Sequence, residues 1–273
     1  MTLLLRDTAL AWWQAGRPAI VVEVVAAKGS VPRETGTRML VGATEVHGTI
    51  GGGHLELKAI ASARQMLAEG ATQPLEHHFP LGPALGQCCG GAVTLRWSSL
   101  AASDPAAWPP APPLFTLQLY GAGHVGRAIV ALLSGIACEV QWIDEREDQF
   151  PAYPLPAHIA RVCVEPVEAE VRVAPPGAFF LVLTHGHDLD LAITQAILER
   201  GDFGYLGLIG SATKRARFEH RFEARGIARP LIDRISCPIG VPGIPGKEPE
   251  VIAVAVVAQL LQCASDCQRE GRG

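Results

Sequence analysis

Hydrophobic positions along the chain change their spacing near its middle. In the first part, MTLLLRDTALAWWQAG has the spacing of an amphipathic helix, and AIVVEVVAAKGSVP is an apolar run that stops at a Gly-Ser and Pro turn. TRMLVG and EVHGTI have the pattern of a hairpin. HLELKAIASARQMLAEG predicts a helix ending at Gly70, and the second half of CCGGAVTLRW predicts a strand. Residues 98–113, SSLAASDPAAWPPAPP, lose all periodicity and are rich in Ala, Ser and Pro, the composition of an extended connector. Beyond them, the short apolar runs LFTLQLY, CEVQWID, ARVCV, AFFLVLT and YLGLIG alternate with the helical stretches HVGRAIVALLSG, LAITQAILERG and TKRARFEHRFEARG. Such alternation predicts a parallel sheet with helices on both faces, and a last helix starts near Pro249. The fold class is therefore α/β. An N-terminal α/β domain spans 1–97, an Ala/Pro-rich linker 98–113, and a parallel-sheet domain with a C-terminal helix 114–273.

Composition narrows the function classes. The 273 residues are 48% hydrophobic and 18% charged, as in a folded globular chain. With 23 basic and 27 acidic residues the net charge is −4, so no overall positive field favours nucleic acid. The longest apolar stretch, 251–261, falls well short of the ~20 residues that span a bilayer, and Arg6 and Asp7 interrupt the N-terminal leucines. No membrane association or secretory signal is expected. Seven cysteines, at 88, 89, 138, 163, 237, 263 and 267, form an odd and scattered set that fits reduced thiols in the cytoplasm. Cys138 and Cys163 lie in strand-like runs, where a buried inert thiol is the simple reading, and Cys263 and Cys267 share a helix face.

Candidate chemistry sits in several short motifs. Gly121-x-Gly123-x-x-Gly126 follows one strand and opens one helix, and Asp144 ends the next strand 21 residues after Gly123. In that context the glycines allow a tight turn, a close approach of phosphate and close helix packing, while the acid accepts from a ribose. The second half is therefore expected to be Rossmann-like, although the same turn serves NAD, NADP, flavins and other anions. THGHDLD places Thr184, His185, His187, Asp188 and Asp190 at another strand end. These can form a metal site, or a polar loop with Asp188 capping a helix from Leu189. LIGSATKR sets Ser211, Lys214 and Arg215 at a helix start, suited to phosphate or simply a solvated basic turn. In the first half, Gly51, Gly52 and Gly53 read as an anion nest, with Arg33 and Arg38 as fixed positive charges and His54 and Glu56 beginning a helix. Cys88 and Cys89 stand side by side before Gly90 and Gly91. Structural zinc sites space paired cysteines by two to four residues, and neighbouring cysteines bridge only with strain, so QCCGG reads as a free, glycine-backed thiol site.

The stretches GSVPRETGTRMLV, GTIGGGHLE and LGQCCGG, with LYGAGHVGRAIV, THGHDLDL, YLGLIGSATKRARF and CPIGVPGIPGKEPEVIAVAVVAQLL, resemble the XdhC/CoxI family of xanthine dehydrogenase accessory proteins nearly end to end. GTIGGGHLE is similar to the xanthine dehydrogenase branch, whereas relatives serving other molybdenum hydroxylases often carry Cys in place of His54. The resemblance implies a non-catalytic chaperone that binds the molybdenum cofactor (molybdopterin carrying Mo). It would protect the cofactor while a cysteine desulfurase supplies its sulfido ligand, and deliver it to apo-xanthine dehydrogenase. Family members are dimeric or larger, so a homo-oligomer is expected. On this reading Cys88 or Cys89 is a Mo ligand or sulfur carrier, with Arg33, Arg38 and Gly51 to His54 near the phosphate. The competing readings are an NAD(P)-dependent oxidoreductase using Gly121, Gly123, Gly126 and Asp144, which lacks an obvious hydride-transfer acid, and a metal or redox sensor.

Overall fold

The computed structural model describes residues 3–81, 91–109 and 112–270. The chain divides into two compact units, Met1–Pro112 and Pro113–Gly273.

The first unit contains α1 (Leu3–Gln14), β1 (Ile20–Lys28), β2 (Arg38–Val41), β3 (Val46–Gly48), α2 (Gly53–Glu69), β4 (Leu75–Pro80) and β5 (Ala92–Ser99). The strands form one antiparallel sheet in the order β3-β2-β1-β5-β4. Alternation along β1 builds two layers. Ile20, Val22 and Val24 point to α2 and pack with Leu55, Ala59, Ala63 and Trp97, while Val21 faces α1 with Leu5, Ala9 and Trp12. Trp97 also donates its Nε1–H to the Ala59 carbonyl at 3.0 Å, fixing α2 on the sheet. β4 was not expected: LEHHFP is mostly exposed and pairs only with β5, so it carries almost no hydrophobic alternation. Residues 98–109, read above as an extended connector, instead finish β5 and form two 3-10 turns that bury Leu100, Pro105 and Trp108. The few large side chains outweigh the Ala/Pro background there.

The second unit alternates strongly. It contains β6 (Thr116–Tyr120), α3 (His124–Leu133), β7 (Glu139–Asp144), β8 (Ile159–Cys163), β9 (Phe179–Val182) and α4 (His187–Arg200). It continues with β10 (Tyr205–Leu208), α5 (Ala212–Ala224), α6 (Arg229–Ile232), β11 (Ile235–Ser236) and α7 (Pro249–Glu270). All strand pairs are parallel, in the order β11-β10-β9-β6-β7-β8. Numbered within the unit this is 6-5-4-1-2-3, the strand order of dinucleotide-binding sheets, whose topological switch lies between its first and fourth strands. One face packs α3 and α7 against Leu117, Leu119, Val140 and Trp142. The other packs α4 and α5 against Tyr120, Ile143, Phe180 and Val182.

α7 is long and apolar enough to cross a membrane by length and composition. Here Ala253, Val256, Val257, Leu260 and Ala264 are core residues beside α3. At the sheet centre lies one polar group, Gln118, fully buried. Its Nε2 donates to Gln141 Oε1 (2.7 Å) and to the Glu170 carbonyl (2.8 Å), and its Oε1 accepts from the Tyr120 hydroxyl (2.8 Å). Burial raises the pKa of Tyr120 far above that of an ordinary phenol, so the hydroxyl stays a donor.

Candidate functional site

The carboxyl ends of β6, β7, β9 and β10 bring together four loops of the second unit, the edge where ligands of open α/β sheets bind. The three glycines of the first loop differ in kind. Gly121 has φ +116°, and a Cβ on it would lie 2.3 Å from the Leu183 carbonyl oxygen. A Cβ on Gly126 would lie 2.2 Å from the Gly121 oxygen. Both are required by the fold itself. Gly123 has an ordinary φ of −70°, and its Cβ would meet nothing within 4 Å. Its bareness opens onto free space at the start of α3.

Asp144 departs from the expected ribose contact. It is only 5% exposed, and both oxygens are already engaged. Oδ2 accepts from the Ala122 N–H (2.7 Å) and Arg146 Nη2 (2.9 Å), while Oδ1 accepts from the Arg146 N–H (3.0 Å) and Nε (2.9 Å). Burial opposes its ionisation. The Arg146 side chain and the two backbone donors outweigh that and hold the carboxyl below the usual range. Asp144 thus clamps the glycine loop to the end of β7 and turns a cation, Arg146, to the outside. Arg146 escaped the sequence reading, although a basic residue two places after the acid was visible in IDER.

The loops after β9 and β10 meet around a second carboxylate. Asp190 is 2% exposed. Its Oδ1 accepts from the Thr184 N–H (2.9 Å) and hydroxyl (2.7 Å), and its Oδ2 from Lys214 Nζ at 2.5 Å. Lys214 also donates to the Ile209 carbonyl (2.7 Å). Thr184, His185, His187, Asp190, Ser211 and Lys214 line a cleft of about 290 Å³. Asp188 does not cap a helix from Leu189: α4 begins at His187, its N-cap is Gly186, and the Asp188 side chain is fully exposed with Arg221 3.7 Å away. Ser211 does cap α5, accepting from the Lys214 N–H at 3.4 Å. Arg215 turns aside to Glu219 (2.6 Å). His185 lies 3.6 Å from Glu145. Among the described residues, no group of three or more His, Cys, Asp or Glu side chains is placed to hold a metal ion.

In the first unit the expected nest is filled from within. Oε2 of Glu56 accepts from the N–H groups of Ile50 (3.0 Å) and Gly52 (3.1 Å) and from the Thr49 hydroxyl, and the Gly51 N–H donates to Thr49 Oγ1 (3.1 Å). The first-turn acid of α2 thus occupies the turn that an external anion was expected to fill. Arg38 is likewise committed, with Nη2 2.6 Å from Glu23 Oε1 and its guanidinium over the Trp108 ring. Arg33 and His54 are exposed, and no described residue pairs with the Arg33 guanidinium.

The sequence stretches nevertheless converge. A Cβ on Gly51 would lie 2.5 Å from Pro32 Cβ, and one on Gly91 would lie 2.4 Å from the Ser30 oxygen and 2.6 Å from that of Lys28. Cys88 and Cys89, with Gly90, lie outside the described residues. Their flanks are fixed, because Leu81 donates to the Gly91 carbonyl at 2.7 Å across the β4–β5 hairpin. Elsewhere Cys138 is buried and its thiol is pushed up to about 12 by burial and then by Glu139, so it is inert at neutral pH. Cys163, read above as buried, is exposed. Cys267 is exposed as well, and burial raises Cys263.

Comparison with known proteins now identifies the relatives. A family model described as the XdhC Rossmann domain matches residues 117–260, and one described as the XdhC and CoxI family matches residues 12–79. YqeB of Escherichia coli K12, an uncharacterized protein, is 29% identical over 254 residues, which are 90% of this chain and 43% of YqeB. The chain thus spans less than half the length of that relative. A crystal structure from Bacillus halodurans, described as a xanthine dehydrogenase, superposes with a TM-score of 0.72 at 20% identity, covering 97% of this chain and 96% of that one. That likeness shows a shared fold. With matches in both units, the two together covering most of the described residues, the chain belongs to the XdhC and CoxI family.

Proposed function

We propose that this chain is a cytoplasmic chaperone of the molybdenum cofactor in the maturation of xanthine dehydrogenase. It would hold the cofactor as a homo-oligomer, support its sulfuration by a cysteine desulfurase and pass it to apo-xanthine dehydrogenase. The observation that carries this reading is the convergence in the first unit of the GSVPR turn, the GTIGGG turn and the base of the hairpin bearing Cys88 and Cys89. The donor types fit: Arg33 offers a phosphate a guanidinium with no partner among the described residues, and two thiols offer soft donors for a sulfur-rich metal centre. When bound, the cofactor supplies the Mo centre and a terminal phosphate. The chain's own part is to bind and shield. Glu56 keeps the glycine turn closed beside Pro32; Arg33 would hold the phosphate, and a thiolate of Cys88 or Cys89 would serve as a soft donor to the metal or would take the outer sulfur of the desulfurase's persulfide, releasing the desulfurase thiolate.

The test is to purify the protein from a molybdopterin-rich host, oxidise it and measure released pterin fluorescence, then repeat with Cys88→Ala, Cys89→Ala and the double variant. Loss of pterin, or of reconstituted dehydrogenase activity, in at least one variant is expected. Full retention in all three removes the thiols from the function. A second reading, an NAD(P)-dependent oxidoreductase, is favoured by the sheet order and the open Gly123. Tight NAD(P) binding with no pterin would select it.

A further inference from the structure

The THGHDLD and LIGSATK motifs together position one ammonium group. Asp190 is fixed by the Thr184 backbone and hydroxyl and in turn holds Lys214 Nζ. Gly210 makes room for the lysine stem, since a Cβ there would lie 2.6 Å from Lys214 Cδ. The Lys214 side chain is 10% exposed and that of Asp190 2%, so two ions have been drawn out of water at a sheet edge. An apolar pair of similar size commonly holds such loops equally well, so the ion pair is not explained by stability. Lys214 has three N–H donors. Asp190 and the Ile209 carbonyl take two, and the third has no acceptor among the described residues.

That side chain forms part of the wall of the 290 Å³ cleft. The start of α4, whose first backbone N–H groups no side chain at the N-cap accepts from, also lines the cleft. His185 and His187 line it as well. Of the nearby acids, Asp190 is paired with Lys214, Asp188 lies 3.7 Å from Arg221, and Glu145 lies 3.6 Å from the His185 ring. We infer that this cleft binds the phosphate group of a small phosphate ester, with Lys214 as its point charge, the first amides of α4 as its cradle and Asp190 as the positioning residue for Lys214. The inference does not rest on the cofactor reading, which uses residues of the first unit. The same phosphate chemistry could come from a nucleotide or from a pterin phosphate.

The experiment titrates the full chain with inorganic phosphate, followed by calorimetry. Saturable binding is expected, weakened about tenfold in Lys214→Met combined with Asp190→Asn, as for loss of one charge-assisted contact. The paired substitution removes both charges at once, and circular dichroism confirms that the variant folds. Arg64→Ala, an exposed arginine with no part in either site, should leave this binding unchanged, and Arg33→Ala is titrated beside it to separate phosphate held in the first unit. Displacement by NAD or NADP assigns the phosphate to a nucleotide, and displacement by the pterin phosphate released from a molybdoenzyme assigns it to the cofactor; either supports the site. Absence of saturable binding, or equal binding by the double variant, overturns it. Binding lost only in Arg33→Ala also overturns it, while agreeing with the proposed function.

Discussion

Two glycine turns in this molecule look alike in sequence and behave oppositely. GTIGGGHLE closes on its own acid, Glu56, which takes the amides of Ile50 and Gly52. LYGAGHVG draws its acid, Asp144, behind the loop to Ala122 and leaves Gly123 facing open space. In both, a carboxylate satisfies backbone donors of a tight turn. In the first it fills the nest, and in the second it props the nest open. Glycine spacing alone therefore does not tell a ligand cradle from a self-capped turn. What decides it is where the nearest carboxylate reaches.

The largest expected effect separates glycines needed by the fold from the one left over. Gly121→Ala should lose about 3 kcal/mol or more in urea unfolding, because the methyl meets the Leu183 carbonyl at a φ of +116°. Asp144→Asn should lose about 2 kcal/mol, since an amide cannot accept from all four donors and Arg146 is left half-buried beside it. That difference should depend on pH. The folded carboxyl titrates below its unfolded value, so its contribution is complete above the unfolded pKa and disappears as pH falls through the lower folded one. The gap between wild type and Asp144→Asn should be flat from neutral to about pH 5 and close in stronger acid.

Glu56→Ala should cost about 1.5 kcal/mol by stripping the nest of its acceptor. Formate should raise the unfolding midpoint of that variant more than that of wild type. An equal rise in both would show that the nest was not held by the carboxylate. The smallest change is expected for Gly123→Ala, less than about 1 kcal/mol, the usual difference between glycine and alanine at a helix N-cap. A loss above about 2 kcal/mol would erase the distinction between Gly123 and its two neighbours in the motif.

The second unit was the more legible in sequence. Its central strands β9 and β10 are buried on both faces, so FFLV and YLGL are continuous apolar runs bounded by turns, and the helices between them keep their own period. β4 was lost because an exposed edge strand such as LEHHFP carries no such record. The site residues were read by type and only partly by role. Gly121, Gly123 and Gly126 stood out, but a spacing cannot say which glycine is crowded. Glu56 was read only as beginning a helix, where an acid suits the dipole whether or not its side chain curls back over the turn. Asp144 was placed at the right strand end, yet its partner is a flexible arginine whose direction no local pattern encodes. The pairing of Asp190 with Lys214 joins two loops 24 residues apart, a contact set by the sheet order alone.

The buried glutamine of β6 has a consequence for how the sheet finds its alignment. Parallel strands made almost wholly of aliphatic residues can slide by two positions and still bury grease against grease. Gln118 acts as a key with a single lock: only when it stands opposite Gln141 does its Nε2 meet Gln141 and the Glu170 carbonyl together, while Tyr120 travels with it on the same strand. A slipped register strands the Gln118 N–H groups without those acceptors, at roughly 1–3 kcal/mol, so one polar side chain proofreads the alignment of β6 on β7.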